Sequence, residues 1–485
     1  MAVWIALLLC VAGLGGLVAG GEILRRQGMS TATTRRLVHG GVCLFVAATP
    51  WVFSGPGPVC GLAVLFVFLN GLGRGRGWWP GIHAARPGSW GTVTVPLAVL
   101  PAAAATWGVG ADRVLSFQVA FLVLGLADPW AAAVGARHGR RRLTTTATLA
   151  GTGTFALIAG LLVAGSLTLA DWGLLEVAVG SLVTSLMAAA VEAIGENGWD
   201  NLFVVGAVIL VLEPLRASVV STFGLVAGLG IGIIVGFGAA ATGALTRRGA
   251  VGGGLFAMSL VGLGGIAWAG PGFAFFVLSS GLSFLPEESS DSQASTPRRT
   301  LRQVLANGGV AWGCLAVAVV APATASAVHD GAYLGFLGAL AAAAADTWAT
   351  ELGTRYGGPP WSLREGRRVA SGASGAVSLV GTGGAVLGAV SIVGAAVLCG
   401  TGGTVRIPDL LFALGAGLMG MGADSVLGAT VQARYGDPGA AELRETPRFD
   451  GEAPAQGWRW VDNDTVNFLG TATGAVAAVV LFWGA

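Results

Sequence analysis

The chain has 485 residues, 54% of them hydrophobic and 11% charged, with a net charge of +2. A soluble protein of this length carries roughly a quarter charged residues, so a water-soluble globular class is excluded, and the near-balanced charge excludes a nucleic-acid surface. All 27 basic residues are arginine; without lysine there is neither a Walker-A phosphate loop nor a lysine Schiff-base enzyme.

Apolar runs long enough to cross a bilayer as helices recur from end to end. They predict membrane helices near 2–20, 38–54, 58–72, 92–109, 114–136, 149–169, 174–194, 201–217, 219–245, 250–269, 272–285, 306–327, 331–353, 374–400, 409–432 and 465–483. The fold class is therefore all-α, a polytopic membrane protein of 15 or 16 helices. The count turns on whether the run around "WAGPGFAFF" is one broken helix or two. If it is two, 24 of the 27 arginines fall in loops on one side, and only Arg113, Arg216 and Arg406 on the other. The positive-inside rule makes the 24-arginine side cytoplasmic, with both termini on the opposite side. The first run lacks a basic leader and reads as a helix rather than a cleaved signal. "GLGIG" from Gly228 reads as close helix packing, which the 81 glycines favour generally. The five cysteines lack metal-ligand spacing and read as free thiols. "PEESSDSQASTPRR" reads as a flexible linker, and "YGDPGAAELRETPRFDGEAPAQGWRW" is too long for a plain turn.

The polar residues collect at the arginine-rich ends of these helices. Asp128, Asp346, Glu351, Asp424 and Glu192 lie near the inner ends of theirs, and Asp200, Asn201, Asp462, Asn463, Asp464 and Asn467 open inner-side helices. A carboxylate at the bilayer centre costs about 2.5–3.5 kcal/mol by insertion scales, so such residues are functional candidates. Each helical aspartate is followed nine or ten positions later by an arginine: Arg137, Arg355 and Arg434. Acid and base so placed suit an anion held through a metal ion. Plainer readings stand beside this one. Asp–Arg pairs can anchor helix ends, Asp200 and Asp464 can be N-caps, His39 can be an interfacial histidine, and Trp130 and Trp348 can be belt or packing residues.

The two halves repeat these features in order. "TRRLVHGGV" from Thr34 is echoed by "TLRQVLANGGV" from Thr300, and "LADPWAAAVGARHG" from Leu126 by "AADTWATELGTRYG" from Ala344. The offsets are 268 and 218 residues, so any repeat is distant and carries insertions; convergence also fits. Corresponding segments run in the same direction, whereas transporters more often carry inverted repeats.

At these residues a resemblance enters. Residues 1–217, through Arg35-Arg36-Leu-Val-His39, "RPGSWGTVTVPLA", "GLADPWAAAVGARHG" and "VEAIGENGWDNL", resemble the phytol kinase and dolichol kinase family of CTP-dependent polyprenol kinases. The Lys-Ser pair usual in that family is absent; this chain reads "TTTATLAGTGTFAL" there, with Arg140, Arg141 and Arg142 just before. Residues 218–485, through "GALTRRGAVGG", "RQVLANGGVA", "AAAADTWATELG", "GADSVLGATVQ" and "VDNDTVNFLGTATGA", resemble the integral-membrane family typified by plant phytyl-phosphate kinase.

The resemblance implies two fused enzymes of isoprenoid salvage in the cytoplasmic membrane, with sites facing the cytoplasm. The first would phosphorylate a prenol and the second the resulting monophosphate, with Mg²⁺ and CTP or another nucleoside triphosphate. It implies catalytic roles for Asp128, Asp200, Asp346, Glu351, Asp424 and Asp464, with Asp128, Asp346, Asp424 and Asp464 on the metal. Arg36, His39, Arg86, Arg137, Asn201, Arg302, Asn307, Arg355, Arg367, Arg368 and Asn467 would hold the phosphates or position them. The partners are a membrane isoprenoid and a nucleotide, without nucleic acid; a homo-oligomer stays open. A polyprenyl-phosphate transporter or flippase and a CTP-dependent lipid cytidylyltransferase are the alternatives.

Overall fold

The computed structural model describes residues 3–76, 88–283, 298–369, 375–401, 405–436, 443–449 and 451–485. The expected linker from Pro286 lies almost wholly outside them, and so does Arg86. Of the described residues 77% are helical; counting Arg247–Leu282 as one run they form 15 helices, 12 of them long and apolar enough to span a membrane. The chain divides into two compact units, Met1–Val226 and Ala227–Ala485, so the break falls inside a helix.

The first unit holds α1 (Val3–Arg26), α2 (Thr31–Ala48), α3 (Gly57–Arg76), α4 (Gly91–Ala105), α5 (Val114–His138), α6 (Leu149–Leu169), α7 (Leu174–Ile194) and α8 (Asp200–Arg216). Its centre is α5, which packs against α2, α6 and α8 and buries Phe117, Phe121 and Leu124. Pro129 inside α5 has no N–H to give the Gly125 carbonyl. At that released carbonyl α2 crosses: a Cβ on Gly40 would stand 2.8 Å from Gly125 O, and one on Gly125 would stand 2.7 Å from Cys43 Cβ. Only glycine at both positions permits this approach, which sets His39 beside Asp128.

The second unit takes in most of α9 (Thr222–Ala241), then α10 (Arg247–Ser259), α11 (Gly265–Ser283), α12 (Leu301–Val320), α13 (Ser326–Tyr356), α14 (Leu379–Cys399), α15 (Leu410–Thr430) and α16 (Asn463–Gly484). The expected break at 270–271 does not form: "WAGPGFAFF" lies wholly within α11, and the chain turns back just before it, making a hairpin of α10 and α11. A five-residue π segment, Leu260–Gly264, leads to Gly265 at φ +68°, the left-handed region glycine enters without steric cost. At its start Thr246 N donates to Arg299 O (3.0 Å), and at its finish Arg355 donates to the Leu282 carbonyl, so both ends lie at the arginine-rich end. The middle reaches the other end, where Tyr333 Oη donates to Ala267 O (3.1 Å) and Gly270 lies against Cys399. The reversal keeps the arginine-rich loops of this unit together, as the charge bias requires.

The core of this unit is α13, wrapped by α11, α12, α14, α15 and α16. Ala339 to Ala345 form an almost unbroken methyl surface, fully buried. Glycines of the neighbours meet it backbone to backbone: a Cβ on Gly388 would stand 2.6 Å from Ala344 O, and one on Gly474 would stand 2.5 Å from Gly338 O. Packing through small residues is the means of association where lipid removes the hydrophobic incentive. The long segment after α15 folds over the arginine-rich end as a cap. Ala433 N donates to Val461 O (2.7 Å) and Arg434 N to Gln456 O (3.0 Å). A short antiparallel pair, β1 (Trp361–Ser362) with β2 (Ala376–Val377), joins it through Arg364 Nη1, which donates to Gln456 Oε1 (2.9 Å).

Candidate functional site

In the second unit, four predicted residues meet. Asp346 of α13, Asp424 of α15, Asn307 of α12 and Asn467 of α16 line one small cleft with Thr471, Met421 and the bare backbone of Gly420 and Gly470. The space left by its walls holds about one water-sized guest. Glycine makes the gathering possible: a Cβ on Gly470 would stand 3.1 Å from Asp424 Cβ, and one on Gly420 would stand 2.6 Å from Gly470 O. The Asn467 carboxamide turns its nitrogen to Asp424, because oxygen there would face only acceptors; so oriented it donates to Asp424 Oδ2 (3.1 Å) and Asn463 O (3.2 Å). Its other side lies 3.5 Å from the Asn307 side-chain oxygen. Thr471 Oγ1 donates to Ala306 O (3.1 Å), fixing α16 to α12 one residue from Asn307.

In the first unit, His39 Nε2 lies 3.5 Å from Asp128 Oδ2 and 3.9 Å from Cys43 Sγ. Asp200, the first residue of α8, acts electrostatically on the same imidazole. Around them the backbone is tied tightly. Asn201 Nδ2 donates to Gly91 O (3.2 Å) and Thr94 Oγ1 (3.1 Å), Trp90 N donates to Asn197 O (2.6 Å), and Arg35 Nη2 donates to Ser89 Oγ (3.1 Å). Arg36 Nη2 donates to Ala132 O, one turn beyond Asp128 (3.3 Å).

The two sites sit on one repeated frame. Beyond Asp128, α5 ends and α6 begins with the Thr148 hydroxyl accepting from Gly151 N (3.2 Å); beyond Asp346, α13 ends and α14 begins with the Ser378 hydroxyl accepting from Gly381 N (3.0 Å). Three glycines recur in place. Cβ atoms on Gly135 and Gly353 would stand 2.9 and 3.2 Å from that hydroxyl, and on Gly139 and Gly357 they would stand 2.7 and 2.8 Å from it. On Gly151 and Gly381 they would each stand 3.0 Å from the carbonyls of Ala131 and Ala349. These pairs preserve the 218-residue offset of Asp128 and Asp346 along the first helix and hold one of 230 along the second. In each unit a Gly-Gly-Val helix, α2 or α12, packs on the central helix and brings the residue before its Gly-Gly to the acid's end: His39 or Asn307. The first unit carries α3 and α4 between the paired helices, which accounts for the unequal offsets.

Residues 230–475, just over half of the chain, match the family described as integral membrane protein DUF92. The chain belongs to that family. The match takes in Asn307, Asp346, Asp424 and Asn467, hence the whole cleft. Nothing in the comparisons supports a likeness of residues 1–217 to phytol or dolichol kinases. No curated protein matches the chain, and no solved structure does.

In both units the expected arginine partners of the acids are elsewhere. Nine residues along an α-helix are about 13.5 Å and half a turn, so Arg355 points away from Asp346, and Arg137 from Asp128. Arg355 instead pairs with Glu351, four residues before it (3.1 Å). Glu351 is thereby committed to a helix-end pair outside the cleft. Arg434 donates to Gly428 O (3.0 Å), and burial in the cap pushes its guanidinium below the ordinary arginine range, against the charge of Glu445. Arg302 holds Asp462 (2.8 Å) and Asp464 (3.7 Å) across the feet of α12 and α16, so Asp464 stands with that pair rather than in the cleft. Asp462, not Asp464, caps α16, with Oδ1 accepting from Thr465 N (3.0 Å). Arg367 pairs with Glu365 (2.5 Å), and Arg367, Arg368 and Arg137 are exposed. Asn201 is buried and serves the α4–α8 joint.

Among the described residues no three His, Cys, Asp or Glu side chains gather as a metal cluster. The cleft donors are nonetheless hard: two carboxylates, two carboxamides and a hydroxyl. Mg²⁺ is commonly held by one or two carboxylates, with water and phosphate completing its shell. Asp346 and Asp424 fit that use. Asp128, facing an imidazole, fits it less well.

Sequence reasoning missed one charged group entirely. Glu213, at the arginine-poor end of the first unit, has a side chain with no exposed surface; its Oε2 meets Arg113 Nε and Arg216 Nη2, both at 3.3 Å. Arg216 also pairs with Asp112 (2.6 Å). The signal was present: two of the three arginines that break the charge bias are these.

Proposed function

We propose that the protein is a membrane-embedded isoprenoid kinase with two successive sites, the first phosphorylating a prenol and the second its monophosphate, with CTP or another nucleoside triphosphate as donor. The observation that carries this reading is the recurrence of an acid-centred site at the arginine-rich end of both units on one hairpin frame. Phosphoryl transfer asks chiefly for positioning and charge neutralisation. Asp346 and Asp424, steadied by Asn467, would hold a divalent cation, which when bound neutralises triphosphate oxygens. The cleft is too small for the nucleotide, so the triphosphate would reach it from the cap, where Arg364, Arg367 and Arg368 lie exposed. A lipid tail fits between helices, and the phosphorylated intermediate stays in the bilayer, which gives the fusion its purpose.

A second reading, a cation-coupled transporter of polyprenyl phosphates, draws on the cleft's size, which suits a single ion. Purified full-length protein with γ-labelled CTP, Mg²⁺ and a panel of prenols and prenyl phosphates separates the two. Labelled monophosphate and diphosphate are expected. No labelled lipid with any nucleoside triphosphate, together with uptake of prenyl phosphate into proteoliposomes, would replace the kinase by the transporter.

A further inference from the structure

Two carboxamide oxygens face each other in the cleft of the second unit. With the Asn467 nitrogen on Asp424 Oδ2 and Asn463 O, the other atom of that amide is its oxygen, and it lies 3.5 Å from Asn307 Oδ1. Neither oxygen brings a hydrogen to the contact. We propose that Asn307 and Asn467 are direct ligands of a hard divalent cation, binding it through these two oxygens beside Asp346 and Asp424. The inference rests on the cation that the kinase reading puts in this cleft. It moves both asparagines from positioning phosphate into the cation's own shell.

Counting donors against acceptors carries the argument. A carboxamide oxygen has two lone pairs, and an ionised carboxylate has acceptors only. Side chains of this kind from α12, α13, α15 and α16 line one small space. Thr471 adds a fifth oxygen: its hydroxyl hydrogen goes to main-chain carbonyls, Phe468 O (2.9 Å) and Ala306 O (3.1 Å), which leaves lone pairs for the cleft. The Asn467 N–H groups are taken by Asp424 and Asn463. The space admits about one water-sized guest. A water there has two hydrogens to share among the oxygens of four or five side chains. A cation of similar size meets all of them at once and opposes the two carboxylate charges as well. Carboxylates and carbonyl oxygens of the Asn type are the ligands that hard divalent cations take.

The site is formed in advance of the cation. Arg302 already joins the feet of α12 and α16 through Asp462 (2.8 Å), and Thr471 ties α16 to α12 beside Asn307. The two oxygens are therefore held together by contacts outside the cleft, against their own repulsion. A cation converts that repulsion into shared attraction and closes a ring of ligands across four helices.

The test follows thermal unfolding of the full-length protein in detergent as Mg²⁺ or Ca²⁺ is added, each alone. Wild type is expected to gain stability saturably from at least one of them. Asn307→Ala removes an oxygen and is expected to raise the half-saturating concentration at least about 10-fold, since even partners one shell further out are worth about 10- to 100-fold in metal affinity. Asn307→Asp matches the side chain in size, keeps the oxygen and adds a charge, so it is expected to saturate at or below the wild-type concentration. Asn467→Asp keeps its oxygens and strips the N–H from Asp424. Its unfolding temperature without cation should fall, and its rise on adding cation should exceed that of wild type. If the asparagines serve phosphate instead, Asn307→Ala saturates as wild type does, and that result overturns the assignment. So does an Asn307→Asp protein weakened as much as Asn307→Ala, an Asn467→Asp protein with a smaller rise than wild type, or a wild type that neither cation stabilises. The kinase reading is judged separately, by transfer of labelled phosphate. Cation protection in the expected order from a protein that transfers none removes the kinase and keeps the ligands. Transfer by a protein whose Asn307→Ala variant saturates as wild type does keeps the kinase and removes the ligands.

Discussion

Glu213→Gln tests whether the buried ion cluster of the first unit holds its arginine-poor end together. The Glu213 side chain has no exposed surface, Arg113 retains 9% and Arg216 22%. Arg216 keeps Asp112 when Glu213 is neutralised, and that pair is partly exposed. Arg113 loses its carboxylate in a site that water scarcely reaches. The cost therefore falls mostly on Arg113, and breaking a buried pair from one side costs about 3–5 kcal/mol. Denaturant titration in detergent micelles, followed by tryptophan fluorescence, should show a loss in that range. The double variant Arg113→Met with Glu213→Leu should recover more than half of it, because no charge is stranded. A Glu213→Gln protein within about 1 kcal/mol of wild type, or a double variant less stable than either single one, would refute the reasoning.

Gly338→Ala places a Cβ 2.4 Å from Gly474 O; overpacking of about 1–3 kcal/mol is expected, measured by the same titration, together with weaker cation protection as α16 is pushed off α13. Asp462→Ala removes the α16 cap and a partner of Arg302, with a loss of about 1 kcal/mol. Burial opposes the Asp462 charge, but the Thr465 hydroxyl and N–H and the Arg302 guanidinium outweigh it and hold the carboxyl below its ordinary range. A depressed carboxyl stabilises above its unfolded value and loses that contribution as pH falls through the folded one. The wild-type advantage over Asp462→Ala should therefore be full at neutral pH and vanish in acid; an advantage that grows in acid would contradict the sign. Mg²⁺ should raise the unfolding temperature of wild type and not of Asp424→Asn, and equal protection of both would remove the cation from the cleft.

Much of this architecture was legible because hydropathy and arginine counts report directly on helices in lipid. About half of the expected spans agree with the helices to within a few residues, and the arginine split rightly favoured two helices between 250 and 285, although the turn comes at Gly265 and not at the expected 270–271. Asp346, Asp424, Asn307 and Asn467 stood out because polar groups in apolar helices are costly. What failed was pairing. The nine-residue Asp–Arg spacing looked like a motif, yet helical geometry puts half a turn between its members, and Glu351, four residues from Arg355, had the better claim. Asp464 and Asp462 are two letters apart in one acidic run, and only the cap geometry of α16 shows which of them closes the helix. Glu213 escapes the pattern because it lies at the arginine-poor end, and one of its partners, Arg113, is distant in sequence.

The methyl surface of α13 has a mechanical consequence. Apart from Leu340, Ala339 to Ala345 offer only methyl groups, and glycines of the neighbours seat against them at fixed places: a Cβ on Gly417 would stand 2.5 Å from Ala341 Cβ, and one on Gly420 would stand 2.6 Å from Ala342 Cβ. Bulkier contacts stand at the two ends. At one, Trp268 closes on Tyr333 and Phe336 with ring centroids 5.1 and 4.7 Å away. At the other, Asp346 lines the cleft with Asn307 and Asn467. Between them the close glycine contacts leave α13 no room to slide independently of α14, α15 and α16.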